Sequence, residues 1–148
     1  MTILPISMTM AAIAALINLW LMIRVGQVRT REKVSVGDGG NEAVIRRMRA
    51  HSNYVESTAF VLILLLLVEL AVGPVGWLWA VGGVYFLGRI AHAIGMDGVM
   101  YARPAGTLIT LLTQLGLAGT AIAIVYLTPV EQSSDAVISP DSEIVAPN

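Results

Sequence analysis

RAHSNYVESTAFVLILLLLV, residues 49–68, decides how the chain is read. Its first eight residues carry Arg49, Asn53 and Glu56 at spacing i, i+4, i+7, which puts all three on one face of a helix. From Ser57 to Val68 the stretch is almost purely aliphatic. A cation, an amide and a carboxylate therefore lead straight into sequence suited to a bilayer, where polar side chains are costly and mark function or pairing.

Composition points the same way. Over 148 residues the chain is 56% hydrophobic and 13% charged, with a mean hydropathy of +0.76. A soluble domain averages about 45–50% apolar and about 25% charged. Four runs are long enough to cross a hydrocarbon core, which needs about 20 residues. They cover about 3–23, 51–72, 75–95 and 104–127, and the length admits a single domain. The first lacks the basic flank of a signal peptide, so it reads as a retained span. The expected fold is an all-α membrane protein, a four-transmembrane-helix bundle over 1–127. Residues 128–148, with four acids, three prolines and no Lys or Arg, read as a disordered acidic tail.

The connections set an orientation. Residues 24–50 form a polar loop with seven basic side chains, and Gly37-Asp38-Gly39-Gly40 at its centre reads as a turn. Gly73-Pro74 leaves almost no loop between the second and third spans. The N-terminus, that hairpin and the tail carry no Lys or Arg. By the positive-inside rule the basic loop and the 97–103 connection are cytoplasmic and both termini lie outside. The chain has no cysteine, which excludes disulfides and protein thiolate chemistry, and its two histidines have no metal-ligand spacing, which argues against a resident metal.

Several spans deliver polar groups to one depth on the basic side. Arg89, His92 and Met96 end the third, Arg103 begins the fourth, and Arg29 and Arg31 end an extension of the first. A structural Glu56–Arg89 ion pair would account for one carboxylate and one arginine. It would leave Arg29, Arg31, Arg49 and Arg103 over, and a surplus of guanidinium groups favours an anionic ligand. His51 points to another face and is expected to cap or contact a neighbouring helix, while Glu69, near the opposite surface, reads as snorkelling or as an interhelical hydrogen-bonding partner. Gly82, Gly83, Gly88, Gly106, Gly116 and Gly119 suggest close helix contacts.

At these residues a resemblance emerges. Arg49-Ala-His51-Ser-Asn53-Tyr-Val-Glu56 resembles the R-A-x-x-N-x-x-E pattern of the MAPEG family, the membrane-associated proteins of eicosanoid and glutathione metabolism. Gly26–Arg31 and Gly88-Arg89-Ile-Ala-His92 are similar to first-helix and third-helix motifs of the prostaglandin E synthase branch, and the glycine loop is more like the small bacterial inner-membrane branch. The resemblance implies a homotrimer with glutathione as co-substrate, bound between subunits near the cytosolic face. It implies glutathione binding by Arg29, Arg49, Asn53, Glu56, Arg89 and His92, and a catalytic Arg103 stabilising the thiolate. The implied activity is that of a glutathione-dependent transferase or peroxidase acting on lipophilic electrophiles in a bacterial inner membrane. Ser57 and Met96 stand where many relatives carry tyrosine. The alternative is a non-enzymatic protein of the same fold that binds anionic lipid or another small anion through the same arginines.

Overall fold

The computed structural model describes residues 3–127, so the acidic tail expected at 128–148 lies outside the described residues. Four helices follow one another: α1 (Pro5–Glu32), α2 (Glu42–Val72), α3 (Gly76–Gly95) and α4 (Ala102–Leu127). Each is long and apolar enough to cross a membrane. This is an all-α, integral, multi-pass membrane protein.

The helices of α1 and α2 run well past their apolar runs, and the expected 24–50 loop shrinks to 33–41. Residues 25–32 and 42–50 contain no proline, and charged side chains of good helical propensity keep the ladder going once it leaves the apolar layer. Termination is local. Lys33 turns left-handed at φ 56° as the C-cap of α1, and the Val34 N–H returns to Arg29 O at 2.9 Å. Asn41 caps α2, its Oδ1 accepting from the Ala43 and Val44 N–H groups at 2.9 and 3.2 Å. Between these caps, Gly37, Gly39 and Gly40 all take positive φ, which makes the glycine-rich centre the turn that its composition demands.

At the other end a charge inside the bundle does the capping. Leu4 offers no side-chain cap to α1, and Pro5 has no N–H to satisfy. The next two donors, the Ile6 and Ser7 N–H groups, bond to the Glu69 carboxylate at 3.0 and 2.6 Å. From Met8 onward the helix satisfies itself, Met8 N–H to Leu4 O at 3.0 Å. Glu69 is only 1% exposed, so the anion sits at the positive end of the α1 dipole, out of water. It is thus the interhelical partner and not a snorkelling residue. Four residues further on, Gly73 ends α2 at φ 79° with its N–H on Glu69 O, and Pro74 and Val75 complete the hairpin into α3.

α1 packs chiefly on α2 and α3 chiefly on α4, with α2 also against α3 and α4 and α1 also against α3. Ile6, Met10, Val61, Leu65, Leu78, Tyr85, Phe86 and Leu117 form the principal core. Outside it, α4 exposes Leu108, Leu111, Leu112, Leu115, Ile122 and Val125, and α2 exposes Phe60, Ile63, Leu67 and Leu70. Such surfaces suit lipid or neighbouring helices, not water.

Three of the six glycines expected at close contacts are there. A Cβ on Gly82 would meet Met10 Sδ, one on Gly88 would meet Ile109, and one on Gly106 would lie 2.4 Å from Gly88 O. Gly83, Gly116 and Gly119 have nothing within 4 Å and make no close contact inside the chain. Gly95, not among the six, sits against the backbone of Arg103.

Candidate functional site

The close α3–α4 approach is what builds the site. With no side chain at Gly95 or Gly106, the first turns of α4 lie directly on the last turns of α3. Arg103 and Thr107 thereby reach His92: its Nδ1 is 3.2 Å from Thr107 Oγ1 and 3.4 Å from Arg103 O. Thr107 also donates to Arg103 O at 3.0 Å. The exposed polar face of α2 completes a cleft of about 490 Å³, lined by Arg49, Asn53 and Glu56 from α2, His92 from α3, Met96 beyond it, and Arg103 and Thr107 from α4. That volume is within the range of small-molecule sites. Five of the seven residues nominated from sequence share this one cleft.

The charges in it are unsatisfied. Among the described residues, the ion pairs are Arg24–Asp97, Arg31–Glu32, Arg46–Glu42 and Arg47–Asp97. Arg29, Arg49, Arg89 and Arg103 have no carboxylate partner there. Among the same residues Glu56 has no cation either; its carboxylate accepts from Ser52 Oγ, one turn earlier, at 2.8 Å. The cleft therefore presents two uncommitted guanidinium groups and one uncommitted carboxylate, a pattern complementary to a zwitterionic ligand with excess negative charge.

Two nominated arginines are placed differently. Arg89 does not line the cleft and does not pair with Glu56. It lies beneath, 1% exposed, donating to Asn53 Oδ1 at 2.9 Å and Thr110 Oγ1 at 3.1 Å, with its guanidinium 5.7 Å from the Tyr54 ring centroid. Arg29 is on the other side of α2, in a separate cleft with Val25, Met48, His51 and Val55, where it reaches Met48 Sδ and Ser35 O at 3.4 Å. Ser52 and Glu56 border both clefts. Arg31 does not join the cluster: it pairs with Glu32 and lines a third cleft with Arg46 and Arg47. His51 contacts α1 through Asn18 Oδ1 at 2.9 Å, as its off-face position indicates. Ser57 turns its hydroxyl inward, to Asn53 O at 2.8 Å and to the Tyr85 hydroxyl at 3.3 Å.

Sequence reasoning missed the group that fastens the basic end. Asp97, in the α3–α4 connection, is held by Arg24 of α1 and by Arg47 of α2. Arg24 is 8% exposed, lies 4.7 Å from the Trp20 ring centroid and reaches Ala93 O, a C-terminal carbonyl of α3. Arg47 Nη1 donates to Arg24 O at 3.1 Å. A signal was available: Asp97 is the one acid between the third and fourth spans, and Arg24 borders an uncharged span.

No curated protein matches the chain. The family model described as MAPEG family matches residues 7–123, a range that takes in most of all four helices and every residue of the cleft. The chain belongs to the MAPEG family.

Proposed function

We propose that the chain is a membrane-bound, glutathione-dependent transferase or peroxidase acting on lipophilic electrophiles or lipid hydroperoxides. The observation that carries the reading is how the arginines divide. Arg24, Arg31, Arg46 and Arg47 each hold a carboxylate of the chain, whereas Arg49 and Arg103 face the cleft with none. Glutathione offers two carboxylates and one ammonium. Arg49 would take a carboxylate and Glu56 the ammonium, with Asn53 and His92 supplying polar contacts between them.

Arg103 would lie at the thiol. A free thiol with a pKa of about 8.5 is mostly protonated at neutral pH, and an adjacent guanidinium favours the nucleophilic thiolate. In conjugation, the thiolate forms a carbon–sulfur bond as the electrophile's leaving group departs with the bonding pair. With a hydroperoxide, it attacks the outer oxygen, the O–O bond breaks, and the alkoxide takes a proton to leave as alcohol. The sulfenic acid so formed is reduced by a second glutathione, giving disulfide and water.

As in the family, the assembly would be a homotrimer. Glu56 and Ser52 border both clefts on α2, so a neighbouring copy packed on that face could bring its Arg29 to the glutathione held by the first. The basic end would be cytoplasmic, both termini outside, in the inner membrane of a bacterium.

Calorimetry of glutathione into detergent-purified protein, read alongside thiolate absorbance, tests the reading. Binding with a thiolate signal is expected for the parent chain, and Arg103→Ala should lose the signal and turnover while the assembly persists. Absence of heat and of thiolate at millimolar glutathione would remove glutathione from the account, and unchanged turnover in Arg103→Ala would remove Arg103.

A further inference from the structure

Arg89 is the one fully buried cation among the described residues. Its partners are neutral: an amide oxygen, a threonine hydroxyl and a tyrosine face. Its Nε is buried with no hydrogen-bond partner, and no carboxylate of the described residues pairs with it. A buried charge is ordinarily paired or coordinated, because its desolvation is otherwise uncompensated. Nor can a neighbouring copy supply the missing anion. Arg89 is covered by its own chain, so no outside carboxylate reaches the guanidinium.

Arg89 hydrogen-bonds one residue of the cleft lining, Asn53. Arginine has only donors, so the Asn53 atom facing it must be the amide oxygen. The amide is thereby fixed with its Nδ2–H2 group free, on a residue that lines the cleft. Thr110, on the other fork of Arg89, already donates to Gly106 O at 2.9 Å and accepts from Nη1 at 3.1 Å. The guanidinium is therefore held between α2 and α4, behind the cleft wall and at low local dielectric, where its field is poorly screened.

We infer that Arg89 is a positioning residue for an anionic ligand: it aims the Asn53 amide donors into the cleft and supplies, from behind Asn53, a positive charge that only a bound anion balances. The ligand group this selects at Asn53 is a carboxylate or carbonyl oxygen, an acceptor that two amide hydrogens can meet. The assignment deepens the glutathione reading and rests on it for the identity of the anion. Its physical consequence is that the empty protein carries the cost of the unbalanced charge, and ligand binding relieves it.

Stability and affinity should therefore move in opposite directions. Arg89→Met keeps much of the stem and removes the charge; Arg89→Gln removes the charge but keeps an amide donor for Asn53. Full-length protein in detergent is melted without ligand and at millimolar glutathione, and glutathione affinity is measured by calorimetry. Both variants should melt higher than the parent chain when empty, by about 2–5 °C, and bind glutathione about tenfold more weakly. Arg89→Lys, which restores the charge, should recover part of the affinity and lose the gain in melting temperature. A merely structural brace would lower the empty melting temperature in both neutral variants, and that result, or unchanged affinity, overturns the proposal. If the parent chain does not bind glutathione, the proposed function fails and the empty melts still judge Arg89. A rise then leaves it positioned for a different anion, and a fall ends the assignment.

Discussion

Replacing Gly106 by alanine tests whether helix spacing, and not only residue identity, makes the site. The added Cβ would lie 2.4 Å from Gly88 O, 2.7 Å from His92 N and 2.7 Å from His92 Cβ. Two of these neighbours are helical backbone atoms, which cannot swing aside as the end of a flexible side chain can. Ordinary van der Waals distance is recovered only if α4 withdraws from α3 by about 1 Å. That displacement opens the 3.2 Å His92–Thr107 contact beyond hydrogen-bonding range and carries Arg103 with it. Overpacking of this kind costs about 1–3 kcal/mol, and a misplacement of about 1 Å at a reacting centre can cost about 100-fold in rate. Gly106→Ala should therefore melt measurably lower and conjugate a chromogenic aryl halide with glutathione at about one hundredth of the parent rate. Gly116→Ala is the matched control, because nothing lies within 4 Å of its added Cβ. Parent-like turnover and melting in Gly106→Ala would refute the role assigned to the close approach, as would equal losses in the two variants.

Glu69→Gln puts amide hydrogens against donors already aimed at the carboxylate; a loss of about 2–4 kcal/mol is expected, read as a lower melting temperature with glutathione affinity intact in the folded fraction. Asp97→Asn deprives the buried Arg24 of its carboxylate and should cost about 1–2 kcal/mol, discounted for the partial exposure of Asp97; combined with Arg24→Met it should show positive coupling in a double-mutant cycle, and strict additivity of the two losses would count against the clasp. Tyr85→Phe removes a hydroxyl 2.8 Å from Thr58 Oγ1 in a fully buried position and should cost about 1 kcal/mol in thermal unfolding.

Much of the fold was legible because bilayer sequence is simple. A run such as 57–68 has few ways to satisfy its backbone other than as a helix, and glycine density at 37–40 has few readings other than a turn. Helix ends were harder to read. Apolarity marks where a chain leaves the hydrocarbon, not where its hydrogen-bond ladder stops, so α1 and α2 overran their apolar runs until Lys33 and Asn41 ended the ladder. Small residues were read with the same limit. Gly82, Gly88 and Gly106 meet a neighbour while Gly83, Gly116 and Gly119 face outward, and nothing in the local sequence distinguishes them.

The site was legible as a set of faces but not as a set of pairs. Spacing alone puts Arg49, Asn53 and Glu56 on one side of α2, and that survives folding. Which arginine meets which carboxylate depends on contacts between residues far apart in sequence: Asp97 takes Arg24 from 73 positions away and Arg47 from 50. Pairing therefore separates residues that composition treats alike. Arg47 and Arg49 are two positions apart on the same helix, yet one fastens the α3–α4 connection and the other faces the cleft without a partner. On α3, Arg89 and His92 are one turn apart, yet only His92 lines the cleft, because Asn53 of α2 stands between Arg89 and the cleft. Among the described residues Glu69 and Asp97 are spent where helices are held together, while Arg49 and Arg103 face the cleft without a carboxylate. An anion binding there would complete a charge balance that the fold itself leaves open.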